Sequence, residues 1–375
     1  MFVNLKDQYI KIKHEIDDAI LDVVQSAQYI NGPQVSLFCD HLSHYLGGCH
    51  VIPCANGTDA LQIAMMALDL QPGDEVIIPN FTYAAPIEAA CLLKLRPVLV
   101  DINPLTFNID TQQLQQAISH KTKAIIPVHL FGQCCDMDKI LNIASQHNLF
   151  VIEDTAQALG AEYQFSDGSR HKAGTMGHIG CTSFFPTKNL GCFGDGGALF
   201  THNESLSQRI RMIASHGQQS KYQHVCIGCN SRLDSIQAAV LDVKLKYLDS
   251  YIASRQQAAD YYTQHIRECL AGSVTAPTIA ANTTHTFHQY TITVDAHHQV
   301  PLKDYLSQQG IPTMIYYPIP IHKQKAYQPF IRHTESESFS ASNTACQSVL
   351  SLPIHTELTP EEQSLTITAI QHYFK

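Results

Sequence analysis

Between residues 50 and 200, short continuous apolar runs alternate with longer amphipathic ones. The runs at 75–79, 96–102, 123–130 and 149–154 predict strands buried on both faces, because their apolar positions are consecutive rather than alternating. Between them, the segments 59–70, 84–95, 111–119 and 136–147 predict helices, with Gln71-Pro72-Gly73-Asp74 and Asn103-Pro104 marking turns. Strands alternating with helices imply an α/β fold with a mainly parallel sheet. From Arg232 to about Ile266 the pattern is helical with few breakers, long enough to bridge two domains. A strand at 286–294, a helix at 302–309 and a last helix after Pro360 then predict a smaller C-terminal α/β domain. The expected division is a large domain at 1–250 and a small one at 251–375.

Composition narrows the function classes. A chain of 375 residues with 45% hydrophobic residues is not disordered. Lys plus Arg (24) against Asp plus Glu (33) gives −9, which argues against a nucleic-acid binder or a binder of anionic membranes. No stretch approaches the roughly 20 continuous apolar residues of a membrane span. The first residues are charged and carry no apolar leader, so a soluble cytoplasmic protein is expected. The twelve cysteines are scattered apart from Cys134-Cys135 and the pair Cys226 and Cys229. They predict buried reduced thiols rather than a disulfide scaffold or a metal site.

Three segments should lie beyond the carboxyl ends of the strands, where open α/β sheets bind ligands. Cys54-Ala55-Asn56-Gly57-Thr58-Asp59 precedes a helix, and it suits either a phosphate at free N–H groups or an ordinary cap by Thr58 or Asp59. Glu153-Asp154 ends an apolar strand, a place for a metal ligand, a base, a partner to a cationic heterocycle, or a solvated cap. Lys188 stands between the aromatic Phe184-Phe185 and the glycines that follow. A partly desolvated lysine there is able to form a Schiff base, and a surface lysine on a loop is the alternative. A phosphate nest, a carboxylate and a nucleophilic lysine together meet the needs of pyridoxal 5'-phosphate (PLP).

The sequence resembles the DegT/DnrJ/EryC1/StrS family of nucleotide-sugar aminotransferases, of fold type I, from Gly32-Pro33 to Leu352-Pro353. The resemblance is carried by Gly57-Thr58-Asp59-Ala60-Leu61, Phe81-Thr82-Tyr83, Glu153-Asp154, Ala156-Gln157, Ser183 through Lys188, Gly194-Asp195-Gly196-Gly197 and Asn230 through Asp234. It implies that Lys188 is the Schiff-base lysine and that Asp154 is the partner of the pyridine nitrogen. It further implies that Gln157 bonds the ring hydroxyl, that Tyr83 stacks on the cofactor, and that Gly57, Thr58 and Ser183 hold its phosphate. Asn230 matches a phosphate ligand supplied by the neighbouring subunit, which implies a homodimer with shared sites. The stretch with Tyr316, Tyr317 and His322 matches the segment that faces the sugar. Asn56 stands where the family usually has Ser.

The reaction so implied moves an amino group from L-glutamate, leaving 2-oxoglutarate, to a keto-sugar on a nucleotide. Lysine rather than histidine at 188 favours a transaminase over the family's dehydratases. The segments around His216 and Gly228 through Asp234 look closest to enzymes that aminate C3 of UDP-linked 2-acetamido-3-keto-hexuronic acids for lipopolysaccharide O-antigens. In that branch the residue matching Arg232 pairs with the sugar carboxylate. Enzymes of dTDP-3-keto-6-deoxyhexoses carry a similar run, so they remain an alternative. A non-catalytic relative with a binding or regulatory role is the alternative of a different class.

Overall fold

A computed structural model describes residues 2–332 and 338–375, beginning with the helices Leu5–Lys11 (α1), Lys13–Ser26 (α2) and Pro33–Tyr45 (α3). Its main sheet is built from His50–Cys54 (β1), Glu75–Pro79 (β2), Arg96–Val100 (β3), Thr122–Ile125 (β4) and Phe150–Asp154 (β5). After a small hairpin of Glu162–Gln164 (β6) and Arg170–Lys172 (β7), it is completed by Ile179–Ser183 (β8) and Gly197–Thr201 (β9). The order is β1-β9-β8-β5-β4-β2-β3. Strands β8, β5, β4, β2 and β3 are parallel, and β9 runs antiparallel to both β8 and β1.

The buried strands explain why their sequences lack alternation. On β2, Val76 and Ile78 join the core under Gly57–Ala67 (α4) and Ala85–Leu92 (α5), whereas Ile77 joins the opposite core under Thr111–Ala117 (α6) and Met137–His147 (α7). Helix α8 (Glu204–Ala214) covers the same face as α4. The expected strand at 123–130 is shorter than its apolar run: it ends at Ile125, two residues before Pro127, which has no N–H for a ladder.

The single long helical run expected from Arg232 to Ile266 is two helices, Ser235–Leu245 (α9) and Leu248–Cys269 (α10). One straight helix could not satisfy both of its neighbourhoods. Helix α9 packs on Lys13–Ser26 and Pro33–Tyr45, while α10 turns toward the C-terminal sheet. Leu248 and Ile252 of α10 pack beside β1 and β9, and Ala258, Ala259, Tyr262 and Ile266 pack in a second core. That core lies on the antiparallel sheet of Val274–Thr275, Tyr290–Val294 and Val349–Leu352. Two helices cover it. Ala296–Gln308 begins before the expected start at Leu302 and carries Pro301 inside it, and Pro360–Phe374 opens with a reciprocal Thr359–Glu362 cap. Among the described residues no helix is long and apolar enough to cross a membrane.

Candidate active site

The carboxyl ends of β1, β2, β5 and β8 meet the amino end of antiparallel β9 at one edge of the sheet, around a cavity of about 850 Å³. Gly57, Thr58, Tyr83, Asp154, Gln157, Ser183, Lys188, Tyr316 and Tyr317 all line it. Gly57 and Ser183, far apart in sequence, thus face each other because β1 and β8 flank the same strand, β9.

The first wall is the start of α4. Its cap is Asn56, whose side chain accepts from the Asp59 N–H at 2.8 Å, and not Thr58 or Asp59 as the sequence suggested. The helix therefore begins at Gly57, and the N–H groups of Gly57 and Thr58 fall in its first turn, where four donors lack intrahelical partners. The glycines here are set by close packing. A Cβ on Gly57 would lie 2.8 Å from the Ser183 Cβ, and one on Gly197 would lie 2.5 Å from the Asn56 carbonyl. Gly197 pairs with Cys54 on one side and Ser183 on the other, so the glycine motif seats the α4 start against β8.

The two carboxylates at the end of β5 divide their roles by strand alternation. Glu153 is fully buried and accepts from the N–H groups of Gly174, Met176 and Gly177 at 2.9, 2.7 and 2.6 Å. It also contacts His129 Nε2 at 2.9 Å, and His129 Nδ1 accepts from the Cys135 N–H, so the imidazole proton sits on Nε2 and is donated to Glu153. Glu153 is a structural acceptor. Asp154 lines the cavity and accepts one backbone N–H, from Ala156 at 3.0 Å. Burial raises its carboxyl above the ordinary range, against the pull of the Ala156 N–H and of the Lys188 charge.

Lys188 sits on a tightly wound loop. Its N–H donates to Phe185 O, and a Cβ on Gly191 would lie 2.3 Å from Pro186 O. The amine of Lys244, on α9, donates to Gly191 O at 2.6 Å from a buried position and fixes the end of this loop. Loss of hydration lowers the Lys188 amine to about 8, and Asp154 partly restores its proton affinity. A half-buried amine of that kind is a nucleophile near neutral pH.

Gln157 has its amide orientation fixed. Its Oε1 accepts from the Phe131 N–H at 2.7 Å and its Nε2 donates to the Tyr317 hydroxyl at 3.0 Å. Tyr83 is 61% exposed at the mouth, 6.2 Å from the Tyr317 ring. Sequence reasoning missed His288 and Gln289, which reach the same cavity just ahead of the Tyr290–Val294 strand. Burial, together with the Lys188 and Arg255 charges, holds the His288 imidazole well below its usual range, hence neutral. Alternation on that strand marks a core face, but no local signal there points to a site.

Three expected site residues stand apart from this cavity. Asn230 is exposed, Arg232 is half-buried, and the guanidinium of Arg232 donates to the Asn230 side chain. Neither lines the cavity of its own chain. His322 also lies outside the wall: its backbone N–H donates to Asn80 Oδ1 and its ring stacks on Phe339 at 4.7 Å.

The donor set fits PLP. The Gly57–Ser183 approach leaves room for no side chain where an anion would meet the α4 start, and the buried Asp154 carboxylate accepts one hydrogen bond among the described residues, leaving lone pairs for a cationic ring N–H. Comparison with known proteins agrees. Residues 10–371 match the DegT/DnrJ/EryC1/StrS aminotransferase family. The UDP-2-acetamido-2-deoxy-3-oxo-D-glucuronate aminotransferase of Pseudomonas aeruginosa is 45% identical over 354 residues, 94% of each chain. The dTDP-3-amino-3,6-dideoxy-alpha-D-galactopyranose transaminase of Aneurinibacillus thermoaerophilus is 40% identical over 372 residues, 99% of each chain. The crystal structure of ntda from Bacillus subtilis with bound cofactor PMP superposes with a TM-score of 0.88 at 32% identity, over 99% of this chain and 82% of that one.

Proposed function

The chain belongs to the DegT/DnrJ/EryC1/StrS aminotransferase family, and from that premise we propose that it transfers the amino group of L-glutamate to C3 of a UDP-linked 2-acetamido-2-deoxy-3-keto-hexuronate, a step in making a lipopolysaccharide O-antigen. It is a PLP-dependent sugar aminotransferase of fold type I. The observation that carries this reading is the convergence of Lys188, Asp154 and the α4 start on one cavity.

The geometry supports the following roles. Gly57, Thr58 and Ser183 would hold the phosphate, with the positive end of the α4 dipole behind them. Asp154 would accept the pyridine N–H and keep that proton on the ring. Gln157, with Oε1 occupied by Phe131, has only its Nε2 hydrogens to offer the ring hydroxyl. Lys188 would hold the cofactor covalently through Nζ. When bound, PLP supplies an electron-accepting ring conjugated to the reacting carbon. Once displaced by the incoming amine, the Lys188 Nζ is a base of suitable strength to take a proton from one carbon and return it to its neighbour. Tyr83 would stack on the cofactor, and Tyr316 and Tyr317 would face the sugar, with His322 bracing their segment from behind through Asn80.

A homodimer with shared sites accounts for Asn230 and Arg232, which are presented outward from their own cavity. The hairpin just before them, Gln218–Ser220 with Gln223–His224, exposes Tyr222 in its turn, and the segment after it exposes Val225 and Ile227, at 81, 56 and 86% respectively, an apolar surface suited to a second copy. In the dimer, Asn230 would reach the partner's cofactor phosphate and Arg232 the carboxylate of its sugar.

The test is the reverse reaction with 2-oxoglutarate and a panel of UDP- and dTDP-linked 3-amino sugars. The UDP-3-amino-hexuronate should give the largest kcat/KM. Arg232→Ala should reduce that value far more than it reduces the value for a neutral sugar, because a bound carboxylate would lose its bidentate partner. The 40% identity to the dTDP-sugar enzyme supports a second reading, dTDP-3-keto-6-deoxyhexose amination. A dominant dTDP-sugar activity with equal Arg232→Ala losses would establish it instead. The absence of transamination on every sugar of the panel would reject both substrate readings.

A further inference from the structure

Ser231 lies between the two residues that the dimer reading lends to the partner. It is only 1% exposed, although Asn230 before it is exposed and Arg232 after it is half-buried. Its single hydroxyl makes two bonds to the start of α4: it accepts from the Ala55 N–H at 3.0 Å and donates to Asp59 Oδ2 at 2.6 Å. The second is a short, charge-assisted bond of the stronger class. The backbone is laid out by other contacts, with Ser231 N–H on Ala214 O and Asn230 bridged to Ser215. In an extended segment, neighbours of an inward side chain point outward on one shared face. The contact of the Arg232 guanidinium with the Asn230 side chain shows that face directly.

We propose that Ser231 is a positioning residue for the partner's site. By fastening its segment to the α4 start, it fixes the direction in which Asn230 and Arg232 project across the two-fold axis. This inference rests on the shared-site dimer proposed above. The dependence runs one way. The α4 start is set without Ser231 by the Asn56 cap and by the packing of Gly57 and Gly197, whereas no other side-chain bond ties residues 230–232 to that helix among the described residues. Ser231 therefore links the anion nest of one subunit to the residues it lends to the other, and removing its hydroxyl should damage the site across the interface rather than its own.

Subunit mixing separates these two effects. The Ser231→Ala homodimer should lose roughly tenfold or more in kcat/KM for the nucleotide sugar, the scale of a lost hydrogen bond to a charged group. Ser231→Thr, which keeps the hydroxyl, should recover most of it. Re-equilibrated with an excess-free equal amount of Lys188→Ala subunits, half the dimers are mixed. In each, the site holding the intact Lys188 receives an intact Ser231 segment from its partner. Activity should then reach roughly a quarter of the wild-type rate per subunit. Two results would overturn the proposal: a Ser231→Ala homodimer within about twofold of wild type, or a mixture whose activity per Ser231→Ala subunit does not rise above that of the pure Ser231→Ala homodimer. The control is a mixture of Lys188→Ala with Arg232→Ala. If the control recovers and the Ser231 mixture does not, the positioning role fails while the dimer stands. If neither recovers, the shared-site reading itself fails and takes this inference with it. Should Ser231→Ala fail to fold, Ser231→Cys, similar in size but a weak donor, takes its place with the same expected and overturning outcomes.

Discussion

Consider the enzyme stripped of cofactor and mixed with PLP over a pH series from 6 to 10. Only an unprotonated amine attacks the aldehyde, and burial lowers Lys188 from 10.5 to about 8. At pH 7, about one such amine in ten is free base, against about one in three thousand for an ordinary lysine, a gain of roughly 300-fold. The stopped-flow absorbance rate should therefore rise about tenfold per pH unit below 8 and level off above it. Asp154→Asn removes the charge that favours the protonated amine, so the inflection should move further down. Linkage gives an independent check. The folded value lies below the unfolded one, so the unfolded chain binds more protons, and the Lys188 contribution to stability rises with pH between about 8 and 10.5. The apoenzyme of Lys188→Met should accordingly be more stable than wild type at pH 7, by at most about 3 kcal/mol at about 1.4 kcal/mol per unit, with the gain fading toward pH 10.5. A capture rate that keeps climbing to pH 10, or an inflection that moves up in Asp154→Asn, would refute the desolvated-amine argument.

Asp154→Asn is nearly isosteric but cannot keep the pyridine proton, so kcat should fall by roughly a thousandfold or more in steady-state assays, at about 1.4 kcal/mol per decade. Near-normal turnover would reduce Asp154 to a cap on the Ala156 N–H. Glu153→Gln turns one acceptor oxygen into a donor facing backbone N–H groups, and urea unfolding should show a loss of about 2–4 kcal/mol. Gly57→Ala forces a methyl against Ser183 and should lower stability by about 1–3 kcal/mol. Because the same contact shapes the phosphate cradle, Gly57→Ala should also shed cofactor on gel filtration more readily than wild type.

Lys188 and Asp154 were legible in the sequence because each follows an apolar strand, and strand ends in a parallel sheet share one edge. The residues alone left the work of Glu153 and Asp154 undivided, and only the family resemblance singled out Asp154, because packing decides which of two adjacent carboxylates faces the Gly174–Gly177 turn. The α4 start was placed at the wrong cap because Asn56, Thr58 and Asp59 are all good capping residues, and the choice depends on the strand pairing of Cys54 with Gly197. His288 and Gln289 reach the cavity from beyond the end of α10, through a long-range approach that no local pattern encodes. The break near Lys246 was invisible for a related reason: both halves are good helix formers, and only their different packing partners require the turn.

Trapping the covalent linkage asks whether this cavity binds PLP through Lys188. The purified enzyme should be yellow, and borohydride followed by proteolysis and mass spectrometry should place the reduced pyridoxyl group on the peptide containing Lys188, with Lys188→Ala giving no adduct. Recovery of the adduct on Lys244 or any other lysine, or its persistence in Lys188→Ala, would show that Lys188 does not hold the cofactor.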